Sequence, residues 1–404
     1  MKAYAGIVTA ALRACARWAR WAPHVGVCPT MPHILTINAG SSSIRFALFA
    51  TGARQLRLMD GKIERLGSEA ASVTADRLLK VLKEQSSIAA PDAIGHRVVH
   101  GMLHTEPERV TPDLLEELRR ITTYDPEHLP REIAIIEALR QRFPNVPQVA
   151  CFDTAFHRHM PGVATLLPIP RRYAAKGVQR YGFHGLSYTF LMSELARLGD
   201  PAAVRGRVIL AHLGSGASLA AVLDGRGIDT SMGFTPAAGL VMGTRSGDLD
   251  PGLMSYLALT ESLTAAQFQT LVNHESGLIG ISESSADVRD LLEREGADSR
   301  AREAIDLFCY QARKWIGAFA AALSGVDTLV FAGGIGENSA PVRRRICDGL
   351  QFLGIEIDDT LNRQHAARIS TGAAAVRVIR TDEESVIADL TRRVLEMINE
   401  GAAI

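Results

Sequence analysis

The chain has 404 residues, 47% hydrophobic and 22% charged, with Lys+Arg and Asp+Glu at 44 each and a formal net charge of zero. That balance excludes a disordered chain, and no run of about 18 uncharged apolar residues is present to span a membrane. Zero net charge also excludes a bulk pull toward nucleic acid or anionic lipid, so any anion must be held by a local site.

Segment 1–30 has no Asp or Glu, carries Lys2, Arg13, Arg17 and Arg20, and holds two of the three tryptophans. Its apolar stretch precedes the arginines, the reverse of a secretory signal. A transit peptide fits the composition. Met31, however, opens a well-patterned strand, so residues 1–30 are read as an atypical extension, disordered or upstream of the native start. Strands are then predicted at Ile34–Ile37 and Ile44–Phe49, around a Gly/Ser turn, at Ala93–His100 and at Val149–Phe152. Helices are predicted at Pro112–Ile121 and Arg131–Arg142; Thr111-Pro112-Asp113 gives the first a cap and a proline in its first turn.

The second half repeats the theme. Strands Val208–His212 and Ser218–Leu223 flank another Gly/Ser turn. A long helix follows at Ser299–Leu323, then a strand at Thr328–Phe331, a helix at Ala340–Leu350, a strand at Val376–Ile379 and a closing helix at Glu384–Asn399. The two openings lie about 175 residues apart, too far for a solenoid repeat. Two similar α/β domains facing a cleft are the simplest arrangement. The five cysteines are widely spaced with no CxxC pair. They support neither a zinc site nor a disulfide framework, and a reducing, cytoplasmic location is expected.

Three segments are suited to meet phosphate: Asn38–Ser43 (NAGSSS), His212–Ser218 (HLGSGAS) and Gly333–Asn338 (GGIGEN). Glycine permits close backbone approach, and backbone N–H groups with hydroxyls then donate to phosphate oxygens. The third segment also precedes a helix N-terminus, which favours an anion. Each alone reads as a turn. None is a GxGxxG fingerprint or a P-loop, but three together point toward a nucleotide.

Several charged residues sit where an apolar strand should end. Arg97 lies within Ile94–Gly101, and burying it requires a partner; an inter-strand salt bridge is the plain alternative. Asp153 follows Val149–Phe152, either as a turn cap or for metal or proton chemistry. His184 lies between Gly182 and Gly185. Arg245 sits in a long loop of small residues, 229–251, read as a substrate loop. Asn38 with Glu383 or Glu384 offers hard oxygens that suit magnesium.

The ordered motifs NAGSSSIRF, GHRVVHG, FDTAFH, YGFHG, DTSMGFTPAAGLVMGTRSGDLDP and GGIGEN resemble those of the acetate/propionate kinase family, within the sugar kinase, heat-shock ATPase and actin superfold. The resemblance runs from about Ile34 to Glu400. It implies two actin-like (ribonuclease H-like) domains, with mixed sheets flanked by helices and the active site between them. The first would be 31–155, completed by the helix 384–404, and the second, nucleotide-binding, 156–383. It implies reversible Mg2+-dependent phosphorylation of acetate by ATP, with Mn2+ as an alternative ion, propionate or another short carboxylate as the alternative acceptor, and a homodimer. A non-catalytic nucleotide-binding module of the same fold is the remaining reading.

By the same resemblance, Arg97 and Arg245 would hold the carboxylate and the transferring phosphoryl. Asp153 would orient or activate the carboxylate, and His184 would stabilise the transition state. His128 and His212 would lie along the phosphate path. Val99, Phe183 and Pro236 would wall the acyl pocket, and Asn38 and Glu383 would position the metal. Arg45, Gly214, Ser215, Gly216, Asp287, Val288, Arg289, Gly334, Ile335, Gly336 and Asn338 would serve ATP with His212. The chain departs from the family at Arg45 (usually Lys), Ser215 (usually Asn), Asp382 (usually Asn) and Glu127 (usually a pocket leucine). Glu127 is expected to point outward, since inward it would repel a carboxylate.

Overall fold

The computed structural model describes residues 32–40, 43–52, 55–64, 70–85 and 90–401. The expectations for segment 1–30, for Ser41 and Ser42 and for the last three residues lie outside them.

Two sheets organise the chain. The first contains β1 (His33–Ala39), β2 (Ser43–Ala50), β3 (Leu56–Glu64), β4 (Ala93–Val98), β5 (Glu108–Arg109) and β6 (Gln148–Phe152), in the order β3-β2-β1-β4-β6-β5. The second contains β7 (Arg207–Leu213), β8 (Ala217–Leu223), β9 (Arg226–Thr230), β10 (Thr328–Ala332) and β11 (Ala375–Val378), in the order β11-β10-β7-β8-β9. In each, an antiparallel three-strand meander is followed by parallel strands added on the far side of its first strand. The duplication read from the two Gly/Ser turns is therefore a repeat of wiring, with β1 and β7 opening at residues 33 and 207. The central parallel strands read as unbroken apolar runs because both faces are covered; every residue of β6 and β10 is buried.

The helices used below are α1 (Ala71–Gln85), α2 (Pro112–Arg120), α3 (Leu129–Arg142), α4 (Gly185–Arg197), α5 (Ser299–Ala322), α6 (Gly333–Asn338), α7 (Ala340–Cys347) and α8 (Glu383–Gly401). Thr111 caps α2 as expected, its hydroxyl accepting from Leu114 N at 3.1 Å. Two helices change sides. α4 follows the first sheet but packs Tyr188, Leu191 and Leu195 against Val208, Leu210, Ala220 and Val222 of the second. α8 follows the second sheet but lays Ala388 on Ile34, Ala47, Phe49 and Ala93 of the first. They meet where Leu186 touches the cluster of Val386 and Ile387. This exchange brings the end of each sheet's last strand to the seam between the halves.

Some bounds differ from the sequence reading. β4 stops at Val98, so Val99 and His100 have left the sheet. α7 stops at Cys347, before Gly349 turns the chain at positive φ. Gly333–Asn338, expected as a loop, is itself a short helix. No helix among the described residues is long and apolar enough to cross a membrane.

Candidate active site

The sequence-predicted residues gather at the carboxyl ends of parallel strands, where open α/β sheets present ligand sites. Asn38 and Arg97 are near the ends of β1 and β4, and Asp153 follows β6 directly. On the second sheet His212 is near the end of β7, Gly334 lies just past β10, and Glu383 lies past β11.

Arg97 is paired by a salt bridge, though not between strands: its partner is the other candidate, Asp153, in the turn directly after β6. Arg97 Nε and Nη2 both donate to Asp153 Oδ2, at 2.8 and 2.6 Å. Asp153 Oδ1 accepts from the backbone of Leu186 in the first turn of α4 at 3.3 Å. Arg97 Nη1 is held more loosely, 3.4 Å from both Asn38 Oδ1 and the carbonyl of Ala39. Burial opposes the arginine's charge, but Asp153, Glu383 and Glu132 outweigh it and hold the guanidinium protonated.

His184 sits at φ 59°, in the left-handed region, as the residue before α4. Its neighbour must be glycine: a Cβ at Gly185 would lie 2.0 Å from the carbonyl oxygen of Asp153. That contact presses the start of α4 onto the end of β6 and aims His184 at the seam. Its ring stacks on His212 with centroids 4.3 Å apart. Each Nδ1 meets a hydroxyl at 2.8 Å, Ser218 for His184 and Ser187 for His212. Each Nε2 faces the turn between β7 and β8: a Cβ built on Gly216 would lie 3.5 Å from His184 Nε2, and one on Gly214 3.7 Å from His212 Nε2. Arg245 Nη2 comes to the same place, 3.0 Å from that point on Gly216, while its Nη1 donates to the carbonyl of Pro236 at 2.7 Å. Burial, then the charges of His212, Arg97 and Arg245, push His184 well below its ordinary pKa. Burial pushes His212 down to about 4, so both rings are neutral near pH 7.

The remaining acyl-side candidates are close by. His128 Nδ1 pairs with the buried Asp125 at 2.8 Å, and Asp125 and Glu127 both act on the charge of Arg245. Val99 and Phe183 are buried, and the Val99 backbone donates to Glu132 at 3.1 Å. Glu127 turns toward the other half of the molecule, its Oε2 3.1 Å from His274 Nε2. Among the residues expected to serve ATP, Asp287 caps the helix Val288–Arg294 and pairs with Arg289 at 2.5 Å. Val288 packs into the core. Gly334 is open, with nothing within 4 Å of a built Cβ, and its carbonyl accepts from Asn338 at 2.9 Å. Ile335 packs on the core beside it, and Gly336 is buried. Ser215 is exposed in the β7–β8 turn, where its carbonyl accepts from Gly243 N at 3.0 Å and ties that turn to the Arg245 loop. Arg45 is exposed opposite Asn38 across the β1–β2 pair.

Ser187, Tyr188, Asp125 and Glu132 carry no sequence expectation, and Ser218 enters only as the last residue of the phosphate-suited segment His212–Ser218; all five support the named residues from behind. Of the four without an expectation, only Tyr188 leaves a signal: it lies four residues after His184, on the same face of a helix.

The model of the Acetokinase family matches residues 67–389. The chain is 41% identical to acetate kinase of Methylocella silvestris, over 92% of this chain and 99% of the relative. This chain belongs to the acetokinase family. It is also 42% identical to a propionate kinase of Citrobacter rodentium, over 88% of this chain and 96% of the relative. Among solved structures, Porphyromonas gingivalis acetate kinase superposes with a TM-score of 0.82 at 33% identity, covering 90% of this chain and 100% of that one.

A magnesium ion, expected of an acetokinase that uses ATP, fits the residues beside Arg97. Asn38 Nδ2 donates to Glu383 Oε2 at 2.7 Å and to Glu384 Oε1 at 3.2 Å. Burial pushes both carboxyls up, and the charge of Glu383 pushes Glu384 further. Two crowded, desolvated carboxylates sharing one neutral amide are what a divalent cation would relieve. No group of three or more His, Cys, Asp or Glu among the described residues forms a ready cage. Magnesium keeps waters and takes one or two carboxylates together with substrate phosphates, and Glu383 and Glu384 offer two.

Proposed function

We propose that this acetokinase transfers the γ-phosphoryl group of ATP to acetate, reversibly and in line, giving acetyl phosphate and ADP. The observation that carries the reading is the convergence of Arg97, Asp153, His184 and Arg245 from four separate segments at one seam. Acetate is already an anion at neutral pH, so no base is needed to make the nucleophile. Asp153 then acts by committing two nitrogens of Arg97 and leaving Nη1, with only 3.4 Å contacts, to take the acceptor carboxylate. Val99, Phe183 and Pro236 flank the acyl group. The carboxylate oxygen attacks phosphorus, the bond to the ADP oxygen breaks, and the leaving pair goes to ADP. The charge on the equatorial oxygens is met by Arg245 Nη2 and by neutral His184 and His212. Asn38 and Glu383, with Glu384, would hold Mg2+ (or Mn2+), which neutralises phosphate charge. Gly214–Gly216, Gly334, Ile335, Asn338 and Asp287 would form the nucleotide side.

The domain division 31–155 with 384–404, against 156–383, is supported by α8 packing back onto the first sheet. A homodimer is proposed through the helix Gly252–Glu261, which has no buried residue and exposes Tyr256 and Leu259; Leu259→Asp should shift the solution mass to that of one chain. Cys151, Cys309 and Cys347 are free, in keeping with a cytoplasmic location. Propionate is the second acceptor to test, because relatives bearing that name are equally similar. The deciding experiment is hydroxylamine trapping of the acyl phosphate, run with ATP, Mg2+ and an acetate-to-butyrate series. Hydroxamate should form with acetate; ATP binding without hydroxamate for any acceptor would overturn the reading.

A further inference from the structure

The ring of His184 is backed by two buried hydroxyls in series. Ser218 Oγ lies 2.8 Å from His184 Nδ1, and Tyr188 Oη bonds the same Ser218 Oγ. Ser218 and Tyr188 are both 0% exposed. The relay is rigidly built. Tyr188 is one helical turn after His184 and donates its backbone N–H to the His184 carbonyl at 3.0 Å. Ser218 is the β8 partner of His212. Three atoms in a row must share the available protons without conflict. A phenol is a better donor than an alkyl hydroxyl, because its proton is far more acidic. Tyr188 therefore donates to Ser218 Oγ, and the buried Ser218 proton goes to His184 Nδ1, the other hydrogen-bond partner of that oxygen among the described residues. An imidazole nitrogen that accepts a proton bond is unprotonated, so the ring proton sits on Nε2. That is the nitrogen facing Gly216 and Arg245.

We propose that Tyr188 and Ser218 are positioning residues that lock His184 in its Nε2–H tautomer, so that it meets the transferring phosphoryl as a neutral hydrogen-bond donor. The inference rests on the proposed phosphoryl transfer for its purpose, but not for its structure. Burial keeps the Tyr188 phenol protonated, pushing its pKa up, which keeps the relay's direction fixed across the physiological range. In the opposite direction Ser218 would accept from Nδ1–H, and a bare Nε2 lone pair would repel phosphate oxygens.

The test is long-range 15N–1H correlation NMR on the 15N-histidine-labelled full chain, with the His184 signals assigned by their loss in His184→Gln. The wild-type ring should show a protonated Nε2 and a bare Nδ1. Tyr188→Phe keeps the buried shape but removes the proton donor. Ser218 can then accept, so the Nδ1–H form should become populated. Its kcat should fall up to about 10-fold, the worth of one neutral hydrogen bond, with KM for ATP and acetate unchanged. Ser218→Ala should loosen the tautomer in the same way. A wild-type ring protonated on Nδ1, or a Tyr188→Phe protein with unchanged tautomer and kcat, overturns the proposal. The tautomer is read without turnover, so a chain lacking acyl kinase activity but showing Nε2–H would fail the functional reading alone.

Discussion

A single oxygen of Asp153 receives two of the three nitrogens of the Arg97 guanidinium, at 2.8 and 2.6 Å, with the carboxylate 1% and the guanidinium 14% exposed. So buried a pair is expensive to break from one side, because the survivor is left as an unpaired charge. Asp153→Ala should therefore lose both activity and stability, the latter by about 3–5 kcal/mol. Arg97→Ala should lower kcat/KM by about 10³-fold or more, on the scale of arginines at phosphoryl centres. Thermal melts alongside turnover check both; an Asp153→Ala protein with wild-type Tm would contradict the buried-pair account.

Glu127 reaches across the seam to His274, with side-chain exposures of 34% and 51%. Exposed pairs of this kind contribute about 0.2–1 kcal/mol. Glu127→Leu should then leave Tm nearly unchanged and alter kcat/KM for acetate by less than about 5-fold, the equivalent of 1 kcal/mol. A chain-length series measured on both proteins checks this. A large gain for propionate alone would place Glu127 inside the acyl pocket.

Acid should destabilise the fold through its buried histidines, while the raised carboxyls of Glu132, Glu383 and Glu384 act in the opposite sense. His96, His100 and His157 are buried, and burial lowers each pKa from 6.5 to about 4. The folded pKa lies below the unfolded one, so the neutral rings' contribution is fully present above about pH 6.5. It falls as pH drops from 6.5 toward 4, at up to about 1.4 kcal/mol per unit per histidine. Tm measured from pH 7.5 to 4.5 should decline through this window. His96→Gln, placed beside Gln148 at the site of a 2.7 Å hydrogen bond, should flatten the decline.

Chelation should abolish turnover, and added Mg2+ should restore it. Glu383→Gln should raise the Mg2+ concentration needed for half-maximal rate by about 10-fold or more, without a comparable loss of Tm. Magnesium titrations at saturating ATP read this directly, and an unchanged requirement would remove Glu383 from the metal side.

The central strands and the site residues at their ends were legible because burial on both faces writes unbroken apolar runs, and a charge at such a run's end stands out. Arg97 after Ile94, and Asp153 after Phe152, are of this kind. β3, β9 and α1 were not read. β3 is an edge strand whose burial alternates weakly, and β9 carries Gly227 and Asp229 within five residues. The supporting groups were invisible for a different reason. Ser218 and Ser187 look like any turn or helix serine until folding places each 2.8 Å behind a histidine. Glu132 reads as a helix-surface acid, yet it is buried and acts on Arg97.

Arg245 is the residue most directly tied to the proposed transfer, its Nη2 sharing the Gly216 turn with His184. Hydroxamate formation with ATP, Mg2+ and acetate, measured for wild type and Arg245→Ala, tests it. The expected result is robust product from the wild type and a turnover lower by about 10³-fold in the folded variant. An Arg245→Ala enzyme within about 10-fold of wild type would contradict the placement of this guanidinium at the transferring phosphoryl.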